Sequence, residues 1–559
     1  MFKFKALSIL VVFCLAIALT SALHADIISY DEVWAFDGLR SYLWHVITYL
    51  GGSESNYKDI YSNAEYYGVL DRVIPILLFL IQRTLLFGNG TVEQVLNTNL
   101  SEWVLTGYTQ LQHACNVFVF LLGCFFVLLI AKTIDRRSWP LAVVSFLTLP
   151  VLVGHSVFNA RDIFTMSGYT AFTFTLIFYT SSRRLRIFQS VCALSFLTAL
   201  VASQKIVLVA PLFLTYIMFE IVRSLSESSA LCFQAIFRPN TFLRILCYLA
   251  LTAFFLYVLT PASWQSPIEF TSSAFALFSR FDQGGDCSWL LGQEFCLLEK
   301  PYLVAPYIFG WVFIHLPLHL VIGLIILLSF AFRRLWSNCF RIRSHQIRLN
   351  SQYFYLLAQA LLVPALAIVR GSNLYDSDRH LLFIYPPIIV LSSIALLRAI
   401  SALSHRRAKF ASAALNLYIA ILSLNLIFLS PYQYVYANEL VRPFIDHRNT
   451  TLDYWAVSSR EIIQNAILHG WIPLMPDITL PSGQIALEPP PLGYAVRSLG
   501  GRMTTEGKSG NLFLQYRNPA HFNASPSLEP QKSCREAQVV ERQQLFFRPL
   551  MLSRLLLCK

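Results

Sequence analysis

Apolar stretches close to the ~20 residues a helix needs to cross hydrocarbon recur through most of the first 430 positions, divided by short polar loops. The pattern predicts spans at residues 6–23, 111–130, 139–153 and 163–179. It predicts a tight pair within 187–222 that turns at Ala202-Ser203-Gln204-Lys205, then spans at 245–259, 304–330, 353–368, 381–397 and 411–429. The expectation is an all-α polytopic membrane protein with about eleven transmembrane helices. Residues 73–87 are apolar but shorter and carry Pro75, Gln82 and Arg83. Crossing the membrane there would invert the sidedness of every later basic loop, so this segment reads as a re-entrant or interfacial helix on the outer face. After Ser430 long apolar runs stop and Pro, Gly and charged residues rise. The expected division is 1–430 as a transmembrane domain, with a first outer loop at 24–108, and 431–559 as a small extracytoplasmic domain of mixed α/β structure. Its apolar, basic last residues, LFFRPLMLSRLLLCK, are expected against the membrane.

Composition agrees with the pattern: 56% of the 559 residues are hydrophobic and only 13% charged, about half the charged share of soluble domains. The net charge of +12 is not a nucleic-acid signature, because the cations sit in short loops at 132–137, 183–186, 223–244, 333–348 and 405–407. These loops all fall on one side, which the positive-inside rule makes the cytoplasm, along with the N-terminus. Lys3 and Lys5 followed by an apolar core and Ala22-Leu23-His24-Ala25 also fit a signal peptide; the length of the run favours an uncleaved first span. Eleven cysteines include no CxxC pair, which argues against a zinc or redox centre. Cys287 with Cys296, and Cys534 with Cys558, share outer segments and are candidate disulfides in an oxidising compartment.

Four polar features break the apolar pattern on the outer face: Asp31-Glu32 after the first span, His155 to Asp162, Lys205, and Tyr375 to His380. Carboxylates near hydrocarbon are costly and point to function. A carboxylate can act as general base toward an acceptor hydroxyl or amine, and cations can hold a phosphate and stabilise its charge as it leaves. A lipid-linked phosphosugar fits both demands. Each residue also has a plainer use: His155 as a structural hydrogen bonder, Arg379 paired with Asp376 or Asp378 to anchor a loop, Lys205 snorkelling to head groups.

The segment G-H-S-V-F-N-A-R-D-I-F at 154–164 resembles the G-H-S-x-x-N-P-K-D-I-P motif of bacterial GT-C glycosyltransferases, related to the protein O-mannosyltransferase and aminoarabinose transferase families. Asp31-Glu32 matches that family's first-loop acidic motif, and Y-Y-G-V-L-D at 66–71 resembles its Y-G-P-L-F-D segment. Tyr375 with R-H-L-L-F-I-Y-P-P at 379–387 resembles its R-H/Y-L-L-F-x-x-P-P segment, and 431–439 with 453–455 look like a stretch after the last span. The resemblance covers most of 25–460. Ala160 and Phe164 replace prolines, Arg161 replaces Lys, Val69 stands where the family often has Pro, and Gln204-Lys205 where it often has Arg.

The resemblance implies sugar transfer with inversion from a polyprenyl-phosphate donor to an acceptor glycan, lipid or protein at the outer face of a bacterial inner membrane. It implies Asp31 as general base supported by Glu32, and Asp162 as a further catalytic carboxylate. His155, Asn159 and Tyr67 would sit on the acceptor side, and Arg161, Lys205, Tyr375 and Arg379 on the donor phosphate. Some members use a divalent metal, but no ligand set for one stands out here, and no metal or other cofactor is assigned. A transporter or flippase of lipid-linked sugars, or a non-catalytic scaffold, remain as rivals. Against the first, no internal repeat is visible and the polar clusters lie at one surface rather than at the midplane.

Overall fold

The computed structural model describes residues 70–87, 108–181, 187–227, 239–279, 287–337, 344–454, 457–469, 477–479, 502–504, 512–516 and 534–558. The first expected span, the possible signal peptide, Asp31, Glu32 and Tyr67 lie outside them.

The protein is a polytopic helical assembly with a small sheet at its C-terminal end. Among the described residues six helices are long and apolar enough to cross a membrane, or seven if one bent pair counts as a span. In chain order the helices are α1 (Leu70–Phe87), α2 (Tyr108–Ile134), α3 (Trp139–Leu147), α4 (Pro150–Phe158) and α5 (Ala160–Ser181). Then come α6 (Ile187–Ala202), α7 (Val209–Glu227), α8 (Pro239–Leu259), α9 (Pro267–Ser279) and α10 (Val304–His315). The series ends with α11 (Leu318–Ser337), α12 (Ser344–Arg370), α13 (Tyr385–Ser401), α14 (His405–Phe428) and α15 (Ser458–Leu468).

Burial grades from centre to rim. The stretch Arg379–Ser401, ending in α13, is 89% buried over its most apolar window, whereas that of α8 is 11% buried. On α8, Phe242, Leu243 and Phe254 point outward, as do Phe118 and Phe125 on α2; lipid is the solvent that accepts such a surface. Helices α11 and α13 pack together at Gly323, where a Cβ would lie 2.6 Å from the Ser392 carbonyl oxygen. One face of α1, with Ile76 and Phe79, is buried, Phe79 lying edge-on to Tyr108 of α2, while Ile74, Leu77 and Ile81 stay exposed.

Two expected spans are each broken in two. Residues 139–158 form α3 and α4, bent by 56° at Thr148-Leu149. Residues 304–337 form α10 and α11, broken at Leu316-Pro317. In both cases a proline stands at the break: it lacks the N–H that would continue the ladder and suits a new first turn. The first break corrects the expectation that 154–162 is an exit loop, because Gly154 to Phe158 are helical and fully enclosed. The pair expected within 187–222 is present as α6 and α7, with a single 3₁₀ turn at Ile206–Leu208 after Lys205. Helix α9 lies in what the pattern left as an open outer loop.

The two ends of the bundle are chemically distinct. At one end Asp135, just after α2, pairs with Arg398 of α13 at 3.5 Å. On α7, Glu220 pairs both with Arg223 on the same helix and with Arg244 of α8 (3.6 Å). The Tyr216 hydroxyl donates to Glu220 (3.0 Å) while its ring stacks on Tyr248 of α8 at 3.9 Å.

The opposite end carries the hairpin β1 (Ser288–Leu290) and β2 (Gln293–Phe295), closed by the Cys287–Cys296 disulfide. Its turn residues Leu291 and Gly292 both have positive φ. Backbone groups of Trp289, Leu291 and Gly292 bond to Asn449, Thr450 and Thr451 at 2.8–3.2 Å, so the hairpin is stapled to the segment after α14. Replacing both cysteines with serine frees a ring with a sequence separation of 9. This is expected to cost about 2–3 kcal/mol by the loop-entropy argument, read as a lowered unfolding midpoint in detergent; an unchanged midpoint would show that the staple alone holds the hairpin.

The C-terminal segment contains α15 and a five-stranded mixed sheet in the order β4-β3-β5-β7-β6, from β3 (Asp477–Thr479), β4 (Arg502–Thr504), β5 (Leu512–Tyr516), β6 (Cys534–Arg542) and β7 (Leu550–Cys558). Most of the apolar tail is strand β7, paired on both sides, with Leu550 and Leu552 buried and Phe546 exposed. The register sets Cys534 opposite Cys558. The sheet is joined to the helical part by Arg542 Nε to the Ser430 carbonyl (2.9 Å), Gln544 to Ala437 (2.7 Å) and Leu545 N–H to Asn425 (2.8 Å).

Candidate active site

The polar centre is built where α4 stops and α5 begins. Asn159 ends α4 with a non-helical backbone, φ −120° and ψ 74°, and its Oδ1 accepts the Asp162 backbone N–H (3.1 Å), an N-cap on the first turn of α5. Asn159 Nδ2 donates to Asp162 Oδ2 (2.6 Å) and also lies 3.1 Å from His155 Nδ1. The one capping residue therefore orients both its neighbours. Asp162, at a helix N-terminus, also benefits from the macrodipole.

Across from it, Lys205 stands between α6 and α7 and forms an ion pair with Asp162. Its side chain is only 13% exposed. Burial lowers the Lys205 pKa, and the Asp162 charge and hydrogen bond act against that lowering.

The third element is the connection from α12 to α13. Helix α12 stops at Gly371, φ +68°, with the Ser372 N–H bonded back to the Ala367 carbonyl (2.9 Å). Asp376 and Ser377 both hold positive φ, 55° and 67°, which is costly for side-chain-bearing residues. This turn sets Asp376 3.1 Å from Arg379. The Arg379 guanidinium lies 4.9 Å from the Tyr375 ring centre, and Tyr375 meets the His380 ring at 4.8 Å. The charges of Lys205, Arg379, Asp162 and Arg161 all reach His380.

Asp378 is a carboxylate that the sequence offered only as a possible partner of Arg379, a place that Asp376 takes instead. It is 1% exposed and is bonded by His315 Nδ1 of α10 (2.9 Å), by the Ser377 hydroxyl (2.9 Å) and by the Tyr385 hydroxyl. Burial pushes its carboxyl up, but His315, Tyr385 and His155 together outweigh burial and hold it at about 2. Its folded value lies below the ordinary 3.8, so its contribution to stability is complete above that value and is lost as pH falls through about 2.

The fourth element is the segment after α14, with Tyr432, Tyr434 and Tyr436 buried. Tyr434 packs edge-on against Phe158 and His155, and Tyr454 places its hydroxyl 3.0 Å from His155 Nε2. Part of the region expected to be a separate outer domain thus closes the centre over α4.

Beside Lys205 a groove of about 850 Å³ runs between the outer ends of α8 and α9. Ala202, Ser203, Ile206, Leu256 and Phe275 line it, with Arg370 as the one charged wall residue among the described residues. The structure therefore brings together Asp162, Asn159, His155, Lys205, Arg379 and Tyr375, with Arg161 near enough for its charge to act on Lys205. It adds Asp378, His315 and Tyr454. Among the described residues, the trio with metal-like spacing is Cys287, Glu294 and Cys296, and its two sulfurs are spent in the disulfide.

No protein-family model matches the chain, and no curated protein matches it. Among solved structures it is similar to crystal structures of ArnT from Cupriavidus metallidurans. For the apo state the identity is 11%, covering 99% of this chain and 98% of that one, with a TM-score of 0.46. For the form bound to undecaprenyl phosphate the identity is 12%, covering 100% and 98%, again with a TM-score of 0.46.

Proposed function

We propose that this protein is an integral-membrane glycosyltransferase of the GT-C type, which moves a sugar from a polyprenyl-phosphate donor to an extracytoplasmic acceptor with inversion. The observation that supports this best is the position of Lys205. Its neighbours Ser203 and Ile206 line an apolar groove, while its own ammonium pairs with Asp162 in the charged centre. A site with an apolar trough on one side and cations with carboxylates on the other suits an amphiphile with a long hydrocarbon tail and an anionic head.

In this reading Lys205, Arg161 and Arg379 hold the donor phosphate, with Tyr375 keeping Arg379 in place. Asp31, aided by Glu32, takes the proton from the acceptor. The acceptor oxygen or nitrogen attacks the anomeric carbon, the bond from that carbon to the phosphate oxygen breaks, and polyprenyl phosphate leaves with the electron pair. Asp162, aligned by Asn159 and His155, keeps Lys205 aimed and lies beside the acceptor with Tyr67. The centre and the disulfide hairpin would face the periplasm of a bacterial inner membrane, an oxidising compartment, with the N-terminus in the cytoplasm.

The test is release of polyprenyl phosphate from radiolabelled polyprenyl-phosphate sugars in membranes that contain candidate acceptors. Release from one donor, reduced about 100-fold or more by Asp31→Asn at equal expression, is the expected result. Donor that moves between leaflets without being consumed would replace the transferase reading with a lipid transporter.

A further inference from the structure

We propose that Asn116 is a positioning residue: a ladder of amides on α2 grips the last turn of α4 and thereby sets Asn159, the residue that aligns Asp162 and His155. The consequence for turnover rests on the transferase reading, and the ladder itself rests on geometry.

Tyr108, Gln112 and Asn116 recur every four residues, so they share one face of α2. That face is turned inward: all three are at most 6% exposed, whereas Phe118 and Phe125 of the same helix point outward. Amide side chains buried in a membrane helix are costly unless they are bonded. Here they are bonded head to tail. The Tyr108 hydroxyl donates to Gln112 Oε1 (3.1 Å), Gln112 Nε2 donates to Asn116 Oδ1 (2.8 Å), and Asn116 Nδ2 donates to the Val157 carbonyl (2.9 Å). The second Gln112 proton goes to the Asp71 carbonyl at the start of α1 (3.4 Å).

The order of donors is forced from the α4 end. A backbone carbonyl only accepts, so Asn116 must face Val157 with its nitrogen. Its oxygen then faces Gln112, which must present nitrogen in turn, and that leaves Gln112 Oε1 for the Tyr108 hydroxyl. The Asp71 carbonyl independently requires the same Gln112 orientation.

Val157 is where this grip reaches the centre. The last four carbonyls of a helix have no partner inside it, and Val157 lies in the last turn of α4, between His155 and Asn159 in the chain. One residue further on, Phe158 meets the ring of His113, also on α2, edge-on at 5.4 Å. Helix α2 thus holds the end of α4 by one directional bond and one ring contact. Asn159 follows directly, the one residue between α4 and α5. From there its Nδ2 reaches Asp162 Oδ2 (2.6 Å) and His155 Nδ1 (3.1 Å). Any drift of the α4 end is therefore passed to both.

Asn116→Leu keeps the volume and removes the donor. In the membrane assay it is expected to lower kcat about 10-fold with KM for the labelled donor within about twofold. Gln112→Leu leaves Asn116 in reach of Val157 but unaligned, and should act in the same direction to a smaller extent. The double variant should be no worse than Asn116→Leu. A second readout needs no turnover: ¹⁵N spectra of protein in lipid with labelled asparagine side chains, the Asn116 and Asn159 lines being identified by their loss in Asn116→Leu and Asn159→Ser. Gln112→Leu should move the Asn116 line, and Asn116→Leu should move the Asn159 line.

Wild-type kcat in folded Asn116→Leu protein, even with a lowered unfolding midpoint, would reduce the ladder to packing and overturn the proposal. So would an Asn159 line indifferent to Asn116→Leu. If the wild type consumes no donor, the transferase reading falls and the Asn159 line alone decides whether α2 positions the centre. If Asn116→Leu does not fold, Gln112→Leu carries both readouts.

Discussion

Asp162→Asn, a change of nearly the same shape, is expected to be the most damaging single substitution at the centre. Lys205 has little access to water and takes its compensation from the Asp162 carboxylate. Removing that carboxylate leaves a buried ammonium among Arg161 and Arg379, a situation that costs about 3–5 kcal/mol. On the proposed donor-binding role of Lys205, donor turnover should fall about 100-fold or more, because that cation loses both its aim and its charge balance. The diagnostic variant adds Lys205→Met to Asp162→Asn. With both partners gone no uncompensated charge remains, so the unfolding midpoint should recover toward wild type while turnover does not. Asp162→Asn protein that unfolds at the wild-type temperature would show that water, not Asp162, balances Lys205.

Gly154→Ala is the second large effect expected, and it arises from packing alone. A Cβ on residue 154 would stand 2.4 Å from the Tyr434 backbone nitrogen and 3.0 Å from both Tyr434 Cα and Cβ. Two of those contacts are backbone, so no rotamer change relieves them, and α4 must separate from the 433–435 turn. Overpacking of this kind costs about 1–3 kcal/mol or more. The same displacement would draw Tyr434 and Tyr454 off His155, which they meet at ring-centre distances of 6.4 and 6.3 Å. Thermal unfolding and donor turnover should therefore both drop, and a second change on the far side, Tyr434→Ala, should not restore turnover. Normal stability in Gly154→Ala would mean that the 433–435 turn yields without cost.

Much of the helical frame was legible, because a helix in lipid must satisfy its own backbone and so announces itself by length and apolarity. The paired helices α6 and α7, the central α13 and the small mixed sheet all follow the pattern. The breaks at Leu149-Pro150 and Leu316-Pro317 were readable in principle from the prolines, but long apolar flanks on either side favoured unbroken spans. The C-terminal apolar run was ambiguous for a related reason: a short run of this kind can be a strand or a surface segment, and most of it is the strand β7.

The site divides along the same line. Asn159 and Asp162 are three residues apart, the spacing of a cap and its first turn, so their union is local. The Asp162–Lys205 pair, the His315–Asp378 pair and the reach of Tyr454 to His155 span 43, 63 and 299 positions. No single-chain periodicity carries such information. Asp378 was hidden further by its neighbour Asp376, since either acid could have been read as the partner of Arg379.

The buried acid–base group on α7 has a consequence for how the protein is made. Glu220 and Arg223 lie in the last turns of the apolar span that ends at Ser224, and α7 alone would be a poor guest in lipid, although each charge costs less there than the about 2.5–3.5 kcal/mol it costs at the centre of a bilayer. The two residues offset one another within one helical turn, but Arg244 and the Tyr248 ring that complete the group arrive only with α8. During synthesis α7 should therefore wait beside the insertion machinery and enter the bilayer together with α8, so that membrane integration proceeds here by a pair of helices rather than one at a time.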